Sequence, residues 1–289
     1  MATSEQGENV RDRSRPIASS RSISTRAWPW LTALMISAPS WVAVADAQTG
    51  QAVPNTPPAA ANAAAPAVAE PADRLLKQMG AYIGSAEQFT FHADITFDHV
   101  LPSGQKLQFT ASEDVALQRP GRLYVEWSGD LGDRQFWYDG TSITLYDPTT
   151  PFYASEAVPP EIDGMLDKVV TQLGFAPPLA DLLYRDPYRA VRGNVQYGFD
   201  LGLNDVDGRI CHALAFVEKD IDWQIWIDTG PQLTPCKLVI TYKTQPAQPQ
   251  FSVVFTDWDF APRIAEPVFA PNLPADTRKV PFKTVSAAK

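Results

Sequence analysis

His92 and Asp94 alternate with Phe91, Ala93 and Ile95, so in an extended chain they share one polar face. There they could serve as two metal ligands or as an acid–base pair. No third group at supporting spacing accompanies them, and a solvated strand face accounts for both. His212 shares parity with Leu214 and Phe216, the place of a cavity-wall or core histidine, and His99 stands at a hairpin. Glu113 and Arg119 keep stranger company. In an uninterrupted strand both fall with Phe109, Val115 and Leu117 on the apolar side, where an unpaired charge is costly. Pairing with each other, holding a lid, or a bulge that turns one of them outward would relieve that cost.

No nucleophile elbow, zinc-protease helix, phosphate-cradling glycine loop or dinucleotide fingerprint occurs in the chain. A hydrolase would have to draw on His92, Asp94 and Glu113, which parity sets on different faces. Cys211 and Cys236 are the two cysteines. Strand parity puts them on opposite faces of strands that are not adjacent, so a disulfide is not expected, and two thiols with no nearby histidine are too few for structural zinc.

The elements that position these residues begin with Leu75, Leu76, Met79 and Ile83 at helical spacing, closed by Gly84. From Phe89 the period becomes two: Phe89, Phe91, Ala93, Ile95 and Phe97 face one way and Thr90, His92, Asp94, Thr96 and Asp98 the other. Pro102-Ser103-Gly104, Arg119-Pro120-Gly121 and Asp139-Gly140 then punctuate a meander of hairpins. Between Pro159 and Val191 helical spacing returns, with Ile162, Met165, Leu166, Val169, Val170 and Leu173 on one stripe and a shorter helix from Leu179 to Tyr184. This apolar insertion is a candidate lid. Strands resume at Val195, Ile210, Trp223, Leu238 and Phe251, and a proline-spaced tail follows. The count is roughly ten strands in up-and-down order, with helices at two places.

Residues 1–47 read as a secretory signal peptide: Arg11, Arg13, Arg15, Arg21 and Arg26 lead an apolar stretch from Ala27 to Ala45, and Ala45-Asp46-Ala47 offers a cleavage site. Residues 48–71, almost all Ala, Pro, Asn, Gln and Thr, read as a linker unable to form a core. Residues 72–282 form the domain and 283–289 a tail. The formal charge of −9 disfavours nucleic acid and gives no electrostatic support for adsorption to anionic membrane.

Arg119-Pro120-Gly121-Arg122-Leu123 leading into a strand, then Tyr138-Asp139-Gly140, Leu145-Tyr146-Asp147-Pro148 and the closing Phe269-Ala270-Pro271-Asn272-Leu273-Pro274, resemble the LolA superfamily of periplasmic lipoprotein carriers. They are closer still to its predicted periplasmic proteins of unknown function. The resemblance covers about Ala72 to Phe282. It implies a half-open antiparallel β-barrel whose concave apolar face is covered by helices and receives acyl chains. It also implies that Arg119 holds the closed lid by hydrogen bonds. Leu123 stands where the carrier has a phenylalanine, which counts against lipoproteins as the specific cargo.

The expectation is therefore a mainly β, LolA-like periplasmic protein, monomeric and without catalytic residues, metal or cofactor. It would bind a lipid, a lipoprotein acyl group or another hydrophobic molecule. Phe109, Leu123, Trp127, Phe216 and Trp223 would form the walls, with Arg119 and Glu113 as the latch. An envelope membrane protein is a further possible partner. The alternative is an interaction or assembly module that docks a partner through a sheet edge or the tail, with a filled core.

Overall fold

The computed structural model describes residues 67–175, 177 and 179–282. The signal peptide, most of the linker and the tail at 283–289 lie outside the described residues. Helix α1, Glu70–Ser85, begins earlier than its apolar spacing alone suggests. Pro71 suits the first turn, where no backbone N–H is needed, and Glu70 and Asp73 meet the positive end of the helix dipole. Ordered chain thus reaches back into the expected linker, where Val68 bridges Gly198.

Twelve strands form one open sheet. β1 (Gln88–Val100), β2 (Lys106–Gln118), β3 (Arg122–Gly129), β4 (Arg134–Tyr138), β5 (Ser142–Tyr146) and β6 (Phe152–Ala157) make a first meander. β7 (Tyr197–Val206), β8 (Arg209–Val217), β9 (Ile221–Asp228), β10 (Pro235–Tyr242) and β11 (Gln250–Asp259) make a second, which returns to the first when β11 pairs with β1. β12, Arg278–Val280, adds to β6 in parallel. The sheet is curved and mainly antiparallel, with β12 and β7 as its free edges. The two strands that periodicity misses are β6, whose Phe-Tyr-Ala-Ser-Glu-Ala does not alternate, and β12, too short to carry a pattern.

Helix α2, Ile162–Lys168, runs on as a wider turn through Val169–Leu173. Val170 leaves the expected stripe and is exposed, because the wider turn rotates it off the apolar face. The expected helix at Leu179–Tyr184 shrinks to one turn, Ala180–Leu182, and a further helix, α3, spans Pro187–Arg192 with Asp186 capping the Arg189 N–H. Leu76, Met79 and Ile83 of α1 and Ile162, Met165 and Leu166 of α2 share one core with Phe89, Phe91, Leu117, Leu123, Tyr138 and Leu214. The concave face is thus the helical face.

The convex face carries the polar residues of β1 and β2, and the proline-spaced segment after β11 crosses part of it. Arg122 pairs with Glu266 at 2.8 Å and lies over the Phe269 ring. Trp137, Thr144 and Tyr146, which point away from the helices, are buried on that side.

Candidate functional site

Cys211 and Cys236 form a disulfide, with Cα atoms 6.8 Å apart, contrary to the expectation from parity. The pairing of β9 with β10 shifts between Pro235 and Lys237. That bulge places an extra residue opposite one partner and brings Cys236 to the convex side, where Cys211 already lies. The bridge spans β9 to join β8 and β10, forming a small second core with Val206.

On the concave face, β1 and β2 pair without interruption from Gln88–Gln118 to Val100–Lys106. No bulge turns Glu113 or Arg119 outward. Six residues of extended chain separate them by about 20 Å, so they cannot pair. Arg119 does hold the helical insertion: its Nε–H donates to the Ala86 carbonyl and a terminal N–H to the Tyr184 carbonyl, each at 3.1 Å. Neighbouring bonds fasten the same segment. Tyr138 donates its hydroxyl to the Pro159 carbonyl at 2.6 Å, and the Ile162 N–H reaches the Pro120 carbonyl at 2.9 Å. Burial lowers the Arg119 pKa, with the nearby Arg185 charge adding to it.

Glu113 is no latch. It is 6% exposed and, among the described residues, makes no side-chain hydrogen bond or ion pair. Its pKa rises to about 7, from burial first and from the adjacent Asp114 charge second. Register sets it beside Ala93 on one side and Trp127 on the other.

The five expected wall residues divide. Leu123, Phe216 and Trp223 are sealed in the core. Phe109 and Trp127 are half-buried at the end of the concave face away from α1, where both approach Phe97, with ring centroids 5.9 and 6.2 Å apart respectively. Phe136, Ile240 and Tyr242 are also partly buried against this core.

The convex face has its own polar cluster. His92 Nδ1 hydrogen-bonds Asp114 at 2.7 Å and Nε2 lies 3.5 Å from Asp94, so both ring nitrogens face carboxylates. The Asp114 hydrogen bond is the chief reason that the His92 pKa rises. Asp114 was not apparent from the sequence because it lies across the strand pair. A shallow recess of about 270 Å³ lined by His92, Asp114, Tyr124 and Asp257 opens here, and another of about 300 Å³ lies by Arg209, Asp228 and Thr234. His212 is half-buried, its Nδ1 without a hydrogen-bond partner among the described residues, and His99 packs against Phe109 at the hairpin.

Residues 72–283 match the family described as Predicted periplasmic protein (DUF2092). No curated protein matches the chain. Among solved structures the chain is similar to LprF from Mycobacterium bovis, at 14% identity and a TM-score of 0.43, covering 69% of this chain and 98% of that one. It is also similar to the lipoprotein LppX of Mycobacterium tuberculosis, at 10% identity and a TM-score of 0.37, covering 66% and 96% of the respective chains. A LolA superfamily protein from Nitrosomonas europaea matches at 10% identity and a TM-score of 0.33, covering 70% and 98%.

Proposed function

From the premise that the chain belongs to the family of predicted periplasmic proteins (DUF2092), we propose that it is a non-enzymatic periplasmic carrier or binding protein for a lipid or another hydrophobic molecule. The ligand seats on the concave face, held by dispersion and removal of apolar area from water. The observation that carries this reading is the division of that face. One end is sealed by helices tied down through Arg119, while the other leaves the large rings of Phe109 and Trp127 half-buried. A purely structural core has no need of large rings left half-buried at that end.

The test is to purify the exported protein under native conditions, extract it with organic solvent and analyse the extract by lipid mass spectrometry. Arg119→Gln and Arg119→Glu are carried in parallel. Stoichiometric lipid in the wild type, lost or altered in the variants, supports the reading. Folded wild-type protein that is empty and takes up no added fatty acid or phospholipid overturns it.

One observation favours a second reading, a module that docks a partner strand. Tyr197, Phe199, Leu201 and Leu203 on the edge strand β7 are each roughly half-exposed, at 48–60%. Pull-down of an envelope protein that is abolished by Phe199→Lys, with lipid content unchanged, would favour this docking role.

A further inference from the structure

The Glu113 carboxyl is a feature of the concave face that the packing of the described residues does not explain. An acid buried to this degree is ordinarily paired, because an unpaired one costs free energy that an apolar residue would not. Here no cation or donor of the described residues meets it. Arg134, two strands away in register beyond Trp127, forms an ion pair with Asp147 at 2.9 Å.

Register places both small and aromatic residues around Glu113. Its neighbours on the same face include Ala93 across β1 and, one step toward Phe109, Ala111 and its partner Gly129, with Val115 on the other side. Beyond them stand Phe97 and Phe109, and Trp127 flanks the carboxyl directly. Among the described residues, His212 Nδ1 is a fully sealed side-chain polar atom without a hydrogen-bond partner, whereas Asp222 Oδ1 lies 2.8 Å from Lys243 Nζ. The Glu113 oxygens also lack a partner among the described residues.

We propose that Glu113 is the polar anchor of the concave binding face, accepting a hydrogen bond from the donor-bearing head of a long-chain ligand, such as an alcohol or an amine. This rests on the binding reading above and specifies the ligand's chemistry. The alkyl chain lies toward the Phe109 end of the face, and the head lies beside the Glu113 carboxyl, which no group of the described residues meets. Above about pH 7, where Glu113 is charged, like charge opposes a carboxylate head, and the probes are compared there. The raised pKa fits a carboxyl waiting for its partner, since a donor would draw it down.

The test uses the exported protein, stripped of bound lipid, with three ten-carbon probes: decanol, decylamine and decanoate. Binding is followed by titration calorimetry and by tryptophan fluorescence. Wild type should bind decanol and decylamine at least about tenfold more tightly than decanoate, the scale of one hydrogen bond to a charged group. Glu113→Leu should abolish that preference while still binding decanoate, and Glu113→Gln, which retains an acceptor, should keep part of the preference for decanol. Equal affinities for the three probes in wild type, or a preference unchanged in folded Glu113→Leu, overturn the anchor and leave the binding reading standing. Failure of all three probes to bind wild type overturns both.

Discussion

Between pH 4.5 and about 7 the folded chain keeps on Glu113 a proton that the unfolded chain has already lost. Folding is therefore favoured at the low end of that window, and the advantage disappears as the pH rises through about 7. The full effect is at most about 3 kcal/mol. His92 acts in the same direction higher up. Its folded pKa is raised above 6.5, chiefly by the Asp114 hydrogen bond, so its contribution is fully present below 6.5 and is lost as the pH climbs through the raised value. Much of that contribution is screened, because the ring and both carboxylates touch solvent. Urea midpoints measured from pH 4.5 to 8.5 should fall across the range in the wild type. Glu113→Gln should remove the fall below pH 7, and His92→Asn the smaller fall above 6.5. Tracking of wild type by Glu113→Gln throughout would show that the carboxyl is not buried as described.

The contact between α1 and α3 is governed by a glycine. A Cβ built on Gly80 would come within 2.7 Å of the Tyr188 backbone N and 2.8 Å of its Cβ, so the two helices meet only because nothing projects there. Tyr188 and Arg192 of α3 also reach Asp73 of α1, at 2.9 and 2.8 Å. Gly80→Ala should thus destabilise by about 1–3 kcal/mol despite alanine's better helix propensity. Hydrogen exchange should show the loss in α1 and α3 before the strands, and a gain in stability would refute this account of the contact. Periodicity alone revealed α1, but Gly80 carried no signal, because its role depends on a helix more than a hundred residues away. The same limit explains the rest. Phe89 to Phe97 announced their face because every second side chain reports burial, and the parity of Glu113 was legible for the same reason. Whether Glu113 would find a partner, and which carbonyls Arg119 would reach, depended on pairings between strands and loops that no local pattern encodes.

Across the whole molecule, the two meanders flanking the β1–β11 seam are secured differently. The β1–β6 side is strapped by the tail, through Glu266, Phe269 and the parallel β12. The β7–β11 side ends in an edge that the short segment Ala67–Ala69 meets at Gly198, and the Cys211–Cys236 bridge joins its β8 to β10. A bulge hid that bridge from the parity argument. Closing a loop with a sequence separation of 25 removes denatured-state entropy worth about 3.5 kcal/mol. The double variant Cys211→Ala/Cys236→Ala should lose stability of that order. The loss should be uneven: hydrogen exchange in β7 and β8 should rise first, since they keep fewer outside supports, while β1 to β5 stay protected under the strap. Uniform loss across both meanders would instead mean that the sheet unfolds as a single cooperative unit. The concave face would then have no weaker side through which a ligand could enter.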